Sequence, residues 1–269
     1  MDTKRIDLDE LWSLYSSGKQ TYSQLAERFC CSAKTIQRKL DKVQIIRRKE
    51  FSNTAVIIMD TTYFGRGFGV MVFKNSLDRV VLYKQYVRYE TNALYLTGIS
   101  EISRRGVSIQ AIVCDGRQGL FGLFSDIPIQ MCQFHQIQIV LRYLTRKPKT
   151  QAAIELKKLT LKLTKQSKEE FINSLNNWYL RWSDYLNERS KSLSTSKTYY
   201  THKRLRSAYL SLKRHLPYLF VFQDYPDLKI PNTTNALDGQ FADLKNKLRN
   251  HNGLSKVRKM KFIDGFFKA

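Results

Sequence analysis

The hydrophobic period changes at Thr54, and that change constrains the fold more than any other feature of the 269-residue sequence. The runs TAVIIMDTTYF, FGVMVF and RVVLYKQYV are apolar, β-branched and aromatic, and Gly-rich or Asn-Ser-Leu-Asp turn sequences separate them. Side chains of this kind lose χ1 freedom in a helix but pack well on a pleated surface, so a meander of three strands is expected. A helix follows from roughly Asn92 to Arg105, and then SIQAIVCDG, a fourth strand that stops at Asp115-Gly116. A short helical piece, a fifth strand at IPIQMC and a helix beginning near His135 complete the series.

Residues 1–46 read differently, as three short helices. Leu8, Leu11, Leu14 and Tyr15 give the first an apolar face, and Ser17-Gly18 ends it. Thr21 and Gln24 form a capping box that opens the second, and Ser32 caps a third, AKTIQRKLDKV. Ala26, Cys30 and Ile36 fall where a helix-turn-helix needs a small residue, a turn residue and an apolar anchor. The third helix would then offer Lys34, Thr35, Gln37 and Arg38 to base edges and phosphates in a major groove. Ordinary three-helix packing with a solvated basic face is the alternative. Cys30 stands where Gly is common, so a looser turn is expected. Residues 47–53, with Arg47, Arg48 and Lys49, read as a basic linker into a first sheet segment, residues 54–141.

Residues 142–230 carry 19 Lys and Arg against 7 Asp and Glu in long helical patterns. They read as an all-helical insertion that presents basic residues to a nucleic-acid backbone. Trp178 and Trp182, one turn apart, read as core rather than as base-stacking platforms. The chain returns through IPNTTNALD to a C-terminal segment, residues 231–269. Here Leu237, Phe241, Leu244 and Leu248 mark the buried stripe of a helix. Asp238 and Lys245, seven apart, share a face bordering that stripe.

The whole chain holds 46 Lys and Arg against 23 Asp and Glu, a formal charge of +23 spread along its length. Such a field favours a polyanion, nucleic acid first and an anionic membrane second. No apolar run approaches the roughly 18 residues of a membrane span, and MDTKRIDLDELW lacks the apolar stretch of a signal peptide. A soluble, cytoplasmic protein with no membrane partner is expected. Cys30, Cys31, Cys114 and Cys132 make no disulfide framework and fit a reducing compartment.

Three strands, helix, strand, helix, strand, helix is the element order of the ribonuclease H fold, in which the first and fourth strands are neighbours. The expected architecture is therefore α/β: a ribonuclease H-like mixed sheet with an all-helical insertion and an N-terminal helix-turn-helix domain. Asp60 sits inside the apolar run VIIMD and Asp115 ends the fourth strand after AIVC. Neighbouring strands lie about 4.8 Å apart, so carboxylates at matching ends could share a divalent cation. A charge inside an apolar run is costly unless something pairs with it. Taken singly, Asp115-Gly reads equally as a turn, Asp60 as a strand-end polar residue, and Asp238 as a first-turn complement to the helix dipole.

The ordered set, Asp60 after VIIM, Asp115-Gly after AIVC, Cys132-Gln-Phe-His135 beyond the fifth strand, and the NTTNALDG helix after a helical insertion, resembles the DDE-type transposases of the Mutator-like bacterial insertion-sequence group. The resemblance covers essentially the whole chain. It implies that Asp60, Asp115 and Asp238 are a catalytic triad holding two Mg²⁺ or Mn²⁺ ions, and that Lys245 is a DNA-binding residue. It identifies Cys132 and His135 with a Cys-x-x-His signature, read as support for the acid site, with zinc ligation as the alternative. The third acid is Asp where Glu is common. The shorter side chain needs the helix closer to the strands, and Gly239 is expected to permit that approach. Glu101 and Asp126 are the fallback acids. The implied activity is strand cleavage and strand transfer by a homo-oligomer on double-stranded DNA, with terminal inverted repeats and target DNA as partners, at a bacterial nucleoid. A ribonuclease H-like nuclease and a transposase-derived DNA-binding regulator are the rival readings.

Overall fold

The computed structural model describes residues 6–46, 52–192 and 196–268, so most of the basic linker, residues 47–51, lies outside the described residues. Three helices open the chain: α1 (Leu8–Ser16), α2 (Tyr22–Arg28) and α3 (Ala33–Lys42). The Thr21–Gln24 capping box forms as expected, and Ser32 Oγ accepts from Thr35 N at the start of α3. Cys30 takes φ +49°, the left-handed conformation that Gly usually supplies, and Cys31 N reaches back to Ala26 O at 2.9 Å. The turn is therefore tight, and the expected looseness is corrected. A side chain is tolerated in this region at a modest cost, because the surrounding helices hold the backbone there.

The sheet follows: β1 (Thr54–Tyr63), β2 (Gly69–Asn75), β3 (Val81–Val87), α4 (Asn92–Arg104), β4 (Ser108–Cys114) and β5 (Ile129–Met131). Its order is β3-β2-β1-β4-β5, with β1 antiparallel to β2 and parallel to β4, and β4 parallel to β5. The first and fourth strands are neighbours, as the element order predicts for a ribonuclease H-like sheet.

Alternation along β1 and β4 divides the core. Val56 and Ile58, with Ala111 and Val113, join a cluster that includes Leu237, Phe241, Leu244 and Phe262. Ala55, Ile57 and Met59, with Ile112 and Cys114, face the opposite layer, where Tyr95, Ile99 and Ile102 of α4 cover them. Both sheet faces are buried, which is why the strands read as continuous apolar runs.

Helix α5 (Gln133–Leu144) leads into the insertion: α6 (Gln151–Leu161), α7 (Lys168–Asn187), a hairpin of β6 (Arg189–Lys191) and β7 (Thr198–Tyr200), α8 (Lys203–Leu219) and the short α9 (Val221–Asp224). The insertion is thus not all-helical. The hairpin escaped the pattern because its strands are three residues long and polar, and it is braced by the guanidinium groups of Arg189 and Arg206, 3.7 and 4.0 Å from the Tyr200 ring centroid. The insertion shares one hydrophobic cluster with Met131 of β5 and Ile137 and Val140 of α5, and Trp178 inside it donates Nε1 to Ala152 O at 3.0 Å. That is the core role expected of this tryptophan.

Helices α10 (Asn235–Arg249) and α11 (Lys256–Phe267) close the chain on the sheet face that bears Val56 and Ile58. The four stripe residues of α10 are all buried. The N-terminal helices pack on the same layer. Arg258 donates to both carboxylate oxygens of Asp41 at 2.9 and 2.7 Å, Lys261 caps the carbonyls of Leu40 and Asp41, and Trp12 lies so close to Gly265 that any side chain there would clash.

Candidate active site

Register and parity place two acids together. Ile58 pairs with Val113 across the parallel β1–β4 ladder, so Asp60 and Asp115, each two residues further on, come level, Asp115 just past the end of β4 and Asp60 inside β1, which runs on to Tyr63 beside β2. Two-residue periodicity also puts both on the face of Ile58 and Val113, where α10 packs. Helix α10 brings the third acid. Its lead-in is tied to the end of β5: Gln133 N donates to Asn232 O at 2.9 Å, Asn232 Nδ2 to Gln133 Oε1 at 3.0 Å, and Thr234 N to Cys132 Sγ at 3.3 Å. Cys132 N in turn donates to Cys114 O at 2.8 Å, one residue before Asp115. The Thr234 hydroxyl lies 3.1 Å from Asp238 Oδ2 and 3.4 Å from Cys132 Sγ. The NTTNALD segment is therefore a clasp that ties one end of α10 to the end of β5, beside the end of β4 that precedes Asp115.

The charges interact. Burial pushes Asp60 up to about 7; Thr61 N, donating at 2.7 Å, opposes the shift, while the carboxylates of Asp238 and Asp115 reinforce it. Burial also raises Asp115, with Glu90 as the next cause. His135 is held up at about 9, first by its interaction with the Cys132 thiol and further by Asp60 and Asp115, although burial works the other way. Burial would raise Cys132, but interactions with His135 and Thr234 leave it below the usual thiol range. His135 Nδ1 is buried without a hydrogen-bond partner among the described residues. The site thus combines three oxygen-donor carboxylates with an imidazole whose charge offsets two of them. Among the described residues, no three His, Cys, Asp or Glu are drawn together tightly enough to cage a metal ion.

Three residues that sequence reasoning passed over belong here. Glu90, between β3 and α4, accepts from Tyr95 Oη, and its backbone carbonyl accepts from Arg117 Nη2 at 2.8 Å. Arg117 also donates Nε to Asn92 Oδ1 at 2.7 Å, while its backbone N–H caps Asp115 Oδ1 at 3.2 Å. Thr234 stood inside the quoted motif without a role. The one available signal was Arg117's place two residues after Asp115; nothing near Glu90 in sequence marks it.

The remaining candidates are placed as follows. Lys245, on α10, lines a cavity of about 360 Å³ with Tyr63, Arg249 and Lys259, beyond the end of β1. On α3, Lys34 and Arg38 are exposed, while Thr35 and Gln37 are half-buried and Thr35 Oγ1 is 2.9 Å from Ser32 Oγ. Glu101 pairs with Arg104 at 2.9 Å on the surface of α4, and Asp126 accepts from Ser125 at 3.3 Å. Neither fallback acid is among the charges that shift Asp60 or Asp115 most. A Cβ on Gly239 would meet nothing within 4 Å, so the expected role of this glycine in close helix approach is corrected. No described helix is long and apolar enough to cross a membrane.

No protein-family model and no curated protein matches the sequence. Among solved structures, the Drosophila P element transposase strand transfer complex aligns over 92% of this chain and 82% of that chain, at 16% identity and a TM-score of 0.38. The simian T-cell lymphotropic virus intasome in complex with PP2A regulatory subunit B56 gamma aligns over 74% and 72%, at 13% identity and a TM-score of 0.27. At that level of likeness the site has to be read from its own residues.

Proposed function

We propose that this protein is a DDE-type transposase that binds insertion-sequence ends and performs metal-dependent cleavage and strand transfer of DNA. The observation that carries the reading is the convergence of Asp60 and Asp115, level on neighbouring parallel strands, with Asp238, whose charge acts on Asp60. The donor set fits Mg²⁺ or Mn²⁺: hard carboxylate oxygens, one of them on an acid that burial first, and the Asp238 and Asp115 carboxylates next, make costly to ionise until a cation offsets the charge. Asp60, Asp115 and Asp238 would hold the ions, two per site. Bound there, they would supply Lewis acidity at the phosphodiester and lower the pKa of the attacking water.

The chain's own residues have definable parts. Thr234 orients the Asp238 carboxylate, and the Cys132–His135 pair both anchors the clasp and places positive charge beside Asp60 and Asp115. This supporting role accounts for the signature without zinc. Lys245, with Arg249 and Lys259, offers cations to a DNA phosphate at the rim. Helices α2 and α3, with the tight turn at Cys30, form the helix-turn-helix, and exposed Lys34 and Arg38 with Gln37 and Thr35 read the element's terminal repeats. Target DNA would occupy the same acids in a second step, within a homo-oligomer assembled on DNA.

A second reading has an observation of its own. Because the acids do not close into a metal cage, a transposase-derived regulator that binds DNA without cutting it is the alternative. The deciding assay is cleavage of a labelled terminal-repeat duplex in Mg²⁺ or Mn²⁺, beside a gel shift on the same DNA. Asp60→Asn, Asp115→Asn and Asp238→Asn should each abolish cutting, while Asp238→Glu retains part of it. Full cleavage by the Asp238→Asn protein would remove that residue from the triad. Wild-type protein that binds ends and never cuts them would establish the regulator.

A further inference from the structure

The turn between β1 and β2 carries an arginine for which the acid site has no use. Tyr63 and Gly69 are the last pair of the ladder, Phe64 N donates to Phe68 O at 2.9 Å, and Gly65-Arg66-Gly67 forms the tip. Gly65 at φ +132° and Gly67 at φ +69° take backbone conformations that other residues rarely adopt, so Arg66 stands between two residues with no side chain. Arg66 is exposed and makes no hydrogen bond or ion pair among the described residues. The tip has a stiff root: the Phe64 and Phe68 ring centroids lie 5.8 Å apart, Phe68 stacks on Tyr86 at 5.7 Å, and Tyr86 Oη donates to Asp264 of α11 at 2.8 Å. Other cations gather there. The Arg88 side chain runs alongside Gly67, Lys256 Nζ sits 5.5 Å from the Phe68 ring centroid, and the sequence holds no acid between Asp60 and Asp78.

We infer that Arg66 enters the minor groove of the duplex bound at the acids, and that this turn selects A·T pairs there. The minor groove is about 6 Å wide, too narrow for a helix or a two-stranded ribbon but open to one side chain that projects between glycines. In A·T pairs its floor offers only acceptors and, where narrow, an enhanced negative potential that draws a guanidinium, whereas the 2-amino group of guanine stands in the way. Arg88 and Lys256 supply charge to the phosphates that border the groove. Arg66 follows Asp60 by six residues, about 20 Å of fully extended chain, so a duplex rising about 3.4 Å per base pair meets the tip within about six pairs of the phosphodiester. The inference rests on the proposed reading of the acids as a DNA site, and it adds a second point of sequence readout, in the opposite groove from the one assigned to α3.

The test measures binding of the full chain, in EDTA so that no cutting intervenes, to alternating poly(dA-dT), poly(dI-dC) and poly(dG-dC) duplexes of equal length. Poly(dI-dC) shows the major-groove edge of G·C and the minor-groove edge of A·T, because hypoxanthine is guanine without its 2-amino group. It should therefore bind like poly(dA-dT), and both about fivefold more tightly than poly(dG-dC). Arg66→Ala, at an exposed tip that no hydrogen bond or ion pair holds, should bring that ratio to one. Arg88→Ala should weaken all three alike and keep the ratio. Affinities that group poly(dI-dC) with poly(dG-dC) would place the readout in the major groove and overturn the inference. So would equal affinity of the wild type for all three duplexes, or a ratio that survives Arg66→Ala. Failure of the functional reading shows separately, as terminal-repeat cleavage that never occurs with any metal, while the copolymer ratios are read without cutting.

Discussion

The Thr234 hydroxyl lies 3.1 Å from the Asp238 carboxylate one turn along α10, and the same threonine donates its backbone N–H to Cys132. One buried side chain therefore links the third acid to the end of β5. Thr234→Val keeps the shape and removes the hydroxyl. It should cost about 1–2 kcal/mol of stability, because buried partners lose a hydrogen bond. Terminal-repeat cleavage should fall by more than the stability loss explains, whereas Thr234→Ser retains most activity. Denaturant melts beside cleavage rates check this, and a Val variant that cuts at the wild-type rate would disprove an orienting role.

Asp60 predicts an unusual pH dependence. Its folded-state value of about 7 lies above its ordinary 3.8, so between those values the folded chain keeps a proton the unfolded chain has lost. In the absence of metal, this contribution to stability is full below about pH 4 and is lost as pH rises through 7. Asp60→Asn should be more stable than wild type at pH 8 by on the order of 1–3 kcal/mol, with the gap closing toward pH 4. Added Mg²⁺ should raise the wild-type Tm and leave that of the variant nearly unchanged. Thermal melts across pH with and without EDTA measure both effects, and identical pH profiles would refute the assignment.

The Cys132–His135 pair titrates in a different window. His135, raised from 6.5 to about 9, lends stability that is complete below pH 6.5 and disappears as pH rises through 9. Cys132→Ala should flatten that part of the stability curve and lower the imidazole from its raised value, readable from the pH dependence of its ring proton shifts. An unshifted His135 resonance in the wild type would contradict the coupling.

Gly239 carries no steric duty on an exposed turn of α10. Gly239→Ala should therefore stabilise the protein by about 0.5–1 kcal/mol, the helix-interior cost of glycine. If urea melts show a loss instead, the residue has a contact that the free chain does not reveal.

Arg38 and Lys245 should respond differently to truncation. Arg38→Ala should cost about 1–3 kcal/mol on the terminal repeat and relax its sequence preference, as expected for a contact to a base edge. Lys245→Ala should weaken specific and random duplexes alike and lower the salt slope by about one. Salt-titrated binding to both duplexes separates the two roles, and equal losses for Arg38→Ala on both would reassign it to the backbone.

The sequence by itself determined what local chemistry encodes. The two-residue and 3.6-residue periods of apolar side chains specify the strands and the α10 stripe, and the Thr21–Gln24 and Ser32 caps mark two helix starts. Because parity along a strand is rigid, the positions of Asp60 after VIIM and Asp115 after AIVC already gave each acid its face, while the β1–β4 register, a tertiary pairing, made them level. Tertiary structure alone decided the rest. The clasp joins Thr234 to Cys132 across 102 residues, Arg117 reaches back to Glu90, Arg258 holds Asp41, and a polar hairpin of two three-residue strands stands inside the helical insertion. Gly239 looked like the residue that lets α10 approach, yet the approach is set by Thr234 and the packing around it. Such pairings have no period to read. They arise when separately specified elements meet, and which polar groups then face each other depends on packing geometry that no window of sequence contains.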